Sequence, residues 1–106
     1  MARIVERPIA RAELEDIAVA IGRKRPAAAR TFLASARKTY EKLAAMPQSA
    51  ALWEPEDQCF AGIRYFPIPR YPNYVVFYRP VLGGVEILHI LHGRRNLEGF
   101  LASEEP

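Results

Sequence analysis

Residues 62–95 read GIRYFPIPRYPNYVVFYRPVLGGVEILHILHGRR and leave the backbone few choices. Three β-type runs, Gly62 to Ile68, Tyr74 to Arg79 and Val85 to His92, are separated only by Pro69 to Asn73 and by Pro80 to Gly84. Connections this short allow antiparallel hairpins and nothing else, so a compact meander is expected, with Gly83-Gly84 as a hairpin turn rather than a phosphate loop. The polar groups are almost all cationic or hydrogen-bonding: Arg64, Arg70, Arg79, His89, His92, Arg94 and Arg95, against Glu86. An apolar meander edged with arginine is expected to contact an anion or an acidic partner.

The preceding chain supplies a cover. Arg3 to Arg7 (RIVER) alternates charged and apolar residues and suits a short strand added to the edge of the meander. Pro8 fits a first helical turn, where its missing N–H costs nothing. Leu14, Ile17, Ala18 and Ile21 then form one apolar stripe; Glu13, Glu15 and Asp16 face away or sit near the positive helix start, and Gly22 ends the helix. After the basic turn Arg23-Lys24-Arg25, Pro26 opens a second helix with the stripe Ala29, Phe32, Leu33, Ala36, Tyr40, Leu43 and Ala44, stopped by Pro47. Two amphipathic helices so closely joined fold back as a hairpin whose apolar faces need a sheet.

Both alternating sets of the last strand are largely apolar, Val85/Ile87/Leu91 and Leu88/Ile90, which places it centrally with cover on both faces. The helical hairpin covers one face. For the other, only Leu97, Phe100 and Leu101 in a short terminal helix and the Gln48 to Gln58 loop around Trp53 remain. The expectation is that this second face is handed to a partner; the alternative is that the terminal turn and the Trp53 loop suffice.

Composition narrows the classes further. With 106 residues, half of them hydrophobic, the chain makes a single domain with one core. No run approaches the ~20 apolar residues of a membrane span, and the N-terminus MARIVERP lacks the apolar block of a secretory signal; a cytoplasmic location is expected. Cys59, the single cysteine, reads as a small apolar filler at a strand start, with no partner for a disulfide or metal pair. The net charge of +3 is unevenly spread: residues 1–42 and 60–95 are basic, whereas Glu54, Glu56, Asp57 and Glu98, Glu104, Glu105 form an acidic loop and tail. Such a distribution can steer an anionic partner to one surface.

The order strand, helical hairpin, three-stranded meander resembles the ParE and RelE toxin superfamily of bacterial type II toxin–antitoxin modules. The residues carrying the likeness are Gly62-Ile63-Arg64, Tyr74-Val75-Val76-Phe77-Tyr78-Arg79 and the closing run Val85 to Arg95, and it spans nearly the whole chain. It implies an α+β fold: an N-terminal helical hairpin packed on an antiparallel sheet, made of a short N-terminal strand plus the meander, with a short C-terminal helix. RelE-like members cut messenger RNA on the ribosome, whereas ParE-like members act on DNA gyrase without nuclease chemistry. RNA cleavage needs a base, cations and an acid converging on one phosphate. Over the RelE pattern this chain keeps Arg64, Arg94 and Arg95, but has Gly62 in place of a lysine, Val75 in place of an arginine, and Phe100 or Leu101 at the terminal aromatic position. The likeness therefore implies the ParE type, with no catalytic residues, no cofactor and no metal. Its partners would be DNA gyrase and a cognate acidic antitoxin that folds on binding, joined in a heterotetramer. Partner contacts are expected at Arg64, Tyr74, Tyr78, Arg79, Leu88, Ile90, His92, Arg94 and Arg95. Two alternatives stay open: a ribosome-dependent endoribonuclease using Arg64, His92, Arg94 and Arg95, and a non-toxic module that only binds antitoxin.

Several residues carry a plainer reading as well. His89 and His92 fall on opposite strand faces by their odd separation, which argues against joint metal ligation. His92 suits a hydrogen bond at the Gly93 turn, the tyrosines suit packing rather than base stacking, and Arg64 is placed to pair with Glu86 across strands.

Overall fold

A computed structural model describes residues 2–93 and 97–104. β1 (Arg3–Glu6) leads into α1 (Pro8–Lys24) and α2 (Pro26–Ala45); β2 (Ala51–Leu52), β3 (Arg64–Ile68), β4 (Tyr71–Val81) and β5 (Gly84–His92) follow, and α3 (Leu97–Glu104) closes the chain. The strands form one five-stranded sheet in the order β1-β5-β4-β3-β2. The meander is antiparallel as expected, but β1 runs parallel to β5, with Arg3 opposite Gly84 and Glu6 opposite Ile87. Parallel pairing follows from topology: the helical hairpin and the meander return the chain to the β1 edge heading the same way. β2, within a stretch read as loop, adds two residues beside Arg64 and Tyr65.

Both helices begin at a proline and are joined through Arg25 alone. Gly22 does not end α1, which continues to Lys24. A β-carbon at Gly22 would lie 3.2 Å from that of Ala29, so the glycine lets the two helices approach. Gly84 has a comparable role at the sheet edge: its β-carbon would fall 1.8 Å from the Arg3 carbonyl oxygen, and only a hydrogen there lets β1 lie against β5. The turn itself uses Gly83, at φ 82°.

Leu14 and Ala18 of α1 and Phe32, Ala36, Tyr40, Leu43 and Ala44 of α2 pack against Val76, Tyr78, Val85, Ile87 and Ile90 of the sheet. Leu33, expected in the α2 stripe, is 37% exposed, and Thr39 is buried in its stead, its hydroxyl donating to the Ser35 carbonyl at 2.8 Å. Aromatic edges close one end of this core, with the Phe32 ring 5.2 Å from Tyr71 and 5.8 Å from Tyr74.

The partition of β5 differs from simple alternation. Phe77 stands opposite His89 but Tyr78 opposite Ile87, so Leu88 is an extra residue in a bulge. One inserted residue reverses facing beyond it. Val85, Ile87 and Ile90 therefore share the helix-side core, and Leu88 and Leu91 belong to the other.

That other face is not bare. Ile63, Val75, Phe77, Leu88 and Leu91 form a second core with Leu97 and Leu101 of α3, and Trp53 and Phe60 pack on its margin. The expectation of a face left to a partner is corrected here: the terminal helix and the Trp53 loop roof it. The roof is tied together where the Glu56 N–H donates to the Glu98 carboxylate. Cys59 is also corrected; it lies exposed in a 3₁₀ turn, where its N–H donates to Asp57 at 2.9 Å, and fills no core. That bond holds the Asp57 carboxyl below its ordinary pKa.

Candidate partner-binding surface

The residues expected to meet a partner divide sharply by burial. Tyr78, Leu88 and Ile90 are 0%, 4% and 1% exposed, so they are core residues and present no surface. Burial raises the Tyr78 phenol above its ordinary pKa, and its hydroxyl donates to the Pro47 carbonyl at 2.8 Å, anchoring the end of α2 to the sheet. Arg64 serves the same junction: its guanidinium donates to the Ala50 carbonyl at 2.6 Å and the Gln48 carbonyl at 3.2 Å. The expected Arg64–Glu86 pair is replaced by Arg79–Glu86 at 2.7 Å, because the register sets Arg79, not Arg64, opposite Glu86.

Tyr74, Arg79 and His92 keep accessible surface. Tyr74 and His92 are cross-strand neighbours with rings edge to face at 5.9 Å. Arg94, Arg95 and Glu105 lie outside the described residues, as do the side chains of Phe100 and Glu104.

Of the set assigned to RNA cleavage, the two described members, Arg64 and His92, do not converge. Arg64 stands opposite Tyr78 on one side of β4, and His92 opposite Tyr74 on its other side. At ~3.3 Å per residue and ~4.8 Å per strand, their α-carbons are about 16 Å apart. Arg64 is also drawn outward, toward the α2–β2 connection. A base and a phosphate-holding cation must reach the same few atoms, and these two do not.

Glu13 went unnoticed in the sequence, where it looked like a solvent-facing member of an acidic run. Its carboxylate lies 2.9 Å from His89 Nδ1 and accepts the Ile90 N–H at 3.0 Å. β1 ends opposite Ile87, so the rest of β5 is an edge, and Glu13 serves one of the donors there. No sequence period signals a carboxylate that caps a strand edge. His89, 1% exposed, is thereby a core residue rather than a cationic edge.

A groove about 350 Å³ in volume runs between α2 and the β3–β4 turn. Lys38 and Lys42, one helical turn apart, line it together with Arg70, Phe66, Ala34, Pro69 and the hydroxyl-bearing Thr31, Ser35 and Thr39. Lys42 Nζ sits 4.6 Å from the centre of the Phe66 ring. The Ser35 hydroxyl donates to the Pro69 carbonyl at 2.8 Å and fixes the turn to the helix. Arg70 takes the left-handed backbone region at φ 73°, uncommon for a residue with a β-carbon. Among the described residues no acidic side chain lines the groove.

Against this geometry, residues 5–97 match the family model described as the ParE toxin of the type II toxin-antitoxin system, parDE. The chain belongs to that family. The match begins within β1 and ends at the start of α3, and so takes in the helical hairpin and all of the sheet but the first half of β1. No curated protein matches the chain. Membership makes this ParE-family chain a toxin component by descent and implies an antitoxin partner. Among the described residues no helix is long and apolar enough to cross a membrane, and no three metal-ligating side chains converge.

Proposed function

We propose that this chain arrests growth by binding DNA gyrase, and that a cognate acidic antitoxin, disordered until it binds, holds it inactive in a cytoplasmic heterotetramer. The match of residues 5–97 to the ParE model carries the reading. The separation of Arg64 from His92 across β4 supports a target engaged by binding rather than by phosphoryl chemistry. Contacts with the target are proposed at Tyr74, Arg79 and His92, with Arg94 and Arg95 next in the chain.

Induced expression in cells, scored in parallel for chromosomal DNA breaks and for messenger RNA cleavage, tests this. Growth arrest with DNA breaks, little changed by His92→Ala, is expected. Arrest with cleaved messenger RNA that His92→Ala abolishes would assign the chain to the ribosome-dependent nucleases. Unimpaired growth would leave an antitoxin-binding module without a toxic activity.

A further inference from the structure

Between Arg23 and Lys42 the chain carries seven Lys or Arg and only Glu41 as an acid. All seven are exposed, as is Arg70. At about 100° per residue, Arg30, Arg37, Lys38 and Lys42 fall within about 140° of one another, on the side of α2 away from the buried Phe32, Ala36 and Leu43. Arg23, Lys24 and Arg25 continue the row through the α1–α2 junction, and Arg70 joins it from the β3–β4 turn, which the Ser35–Pro69 bond ties to the helix. Among the described residues none of these cations is held in an ion pair. Lys38 and Lys42 stand one turn apart with like charge, an arrangement that weakens a helix. Glu13 and Asp16 of α1 line a different cleft, with Ile90 and His92. The result is a convex strip of one sign, about 30 Å long by the length of α2.

The strip offers charge and little else. The Thr31, Ser35 and Thr39 hydroxyls beside it donate to the Ala27, Pro69 and Ser35 carbonyls, so their protons are already committed. Lys42 Nζ covers the Phe66 ring at 4.6 Å and closes that face to the stacking of an unpaired base. An acidic peptide binds through apolar anchors as well as charge, and the apolar side chains within the cationic arc of α2 are the small Ala27, Ala34 and Ala45. A row of phosphates asks for cations along its length and for no pattern of hydrogen bonds. Duplex DNA presents one negative charge per ~1.7 Å of axis, so a strip of this length lies along about nine base pairs.

We propose that this strip, from the α1–α2 junction along α2 to Arg70, binds the phosphate backbone of duplex DNA without regard to sequence. It goes beyond the gyrase reading, which places its contacts on other residues, and does not depend on it.

The probe is a fluorescein-labelled 20-base-pair DNA duplex of random sequence, titrated with the full chain by anisotropy at salt from about 50 to 200 mM. Wild type is expected to bind with a Kd of about 1–100 μM at the lower salt, log affinity falling by about 0.9 per phosphate contact for each decade of salt. Lys38→Gln/Lys42→Gln removes two contacts at exposed positions. It should keep the wild-type circular dichroism and melting temperature, bind about tenfold more weakly and show a salt slope shallower by about 1.8. Arg3→Gln removes an equally exposed charge from β1, at the far edge of the sheet from β3, and should change affinity by less than about twofold. In ¹⁵N-labelled wild-type chain, NMR shifts with the duplex are expected at residues 23–42 and 70, a result that needs no substitution. Full affinity in the double variant, or an equal loss per charge in Arg3→Gln, overturns the strip in favour of net charge alone. Absence of binding at the lower salt overturns it outright and leaves the gyrase reading standing. A single-stranded 20-mer bound more tightly than the duplex overturns it in favour of unpaired bases. Shifts at the same residues with a 20-residue polyglutamate, and none with the duplex, overturn it in favour of an acidic peptide.

Discussion

The two faces of this sheet are sealed by unequal means. A 17-residue and a 20-residue helix cover one, burying Phe32, Ala36 and Leu43 completely. An eight-residue helix and the Trp53 loop cover the other, with Leu97 and Leu101 buried but Trp53 and Phe60 only partly so. Helices of that length have little stability of their own, so the second cover depends on its leucines. The helix-side core should set global stability, and α3 with its loop should open on its own at lower cost.

Truncation on the helix side sharpens this most. Phe32 is fully buried and touches both Tyr71 and Tyr74, so Phe32→Ala is expected to cost about 3–5 kcal/mol. That is a large share of the ~5–15 kcal/mol that holds a domain folded. Urea unfolding should show the midpoint falling with the slope unchanged. Leu101→Ala on the other face is expected to cost about 2 kcal/mol, near the low end for a buried leucine, because a short helix can settle into the space. Amide exchange in α3 should quicken and Trp53 emission shift to the red, while β5 amides keep their protection. Equal losses and uniform exchange in the two variants would break the distinction between the faces.

A third test uses pH. Tyr40, 6% exposed, donates its hydroxyl to Glu6 at 2.8 Å, and burial, followed by that hydrogen bond, raises its pKa far above the ordinary value. In the unfolded chain the phenol ionises near pH ~10, whereas in the folded chain it keeps its proton. The folded state therefore binds more protons above that pH. The contribution is complete below about pH 10 and falls by about 1.4 kcal/mol for each pH unit above it. Urea midpoints followed from pH 8 to 11 should show a decline that is shallower in Tyr40→Phe. An identical decline in the variant would place the alkaline loss elsewhere, for example at Tyr78, whose pKa burial also raises.

These effects also explain which parts of the molecule the sequence disclosed. The helices were legible because a 3.6-residue period and two prolines mark them, and the meander because its connections admit one topology. The helix-side core follows from the same stripes. The parallel direction of β1 and the two-residue β2 depend on where distant segments meet, and no local pattern encodes that. The bulge at Leu88 reversed the facing of Ile90 and Leu91 because both alternating sets are apolar, which hides the register. The second face was misjudged by weighing length: Leu97, Leu101, Trp53 and Phe60 are few, but bulky enough to close a narrow sheet. At the candidate surface, charge and aromatic content pointed to the meander, whereas Lys38, Lys42 and Arg70 meet only once α2 is laid beside β3. Sequence spacing alone could not have joined Lys38 to Phe66.

The smallest expected effect lies on the weaker side, at an exposed ion pair between β4 and β5. Arg79 and Glu86 pair at 2.7 Å with side chains 58% and 20% exposed. A pair this open exchanges hydration for Coulomb attraction at nearly even terms and is screened by salt. Arg79→Ala is expected to cost no more than about 1 kcal/mol, a difference that should vanish at ~1 M salt. Arg79 is also a proposed target contact, so the same variant separates two roles that burial cannot. Near-native stability with a reduced growth arrest would keep Arg79 as a contact. A stability loss approaching that of Leu101→Ala would instead make the pair a structural clasp, extending the second cover past the reach of α3.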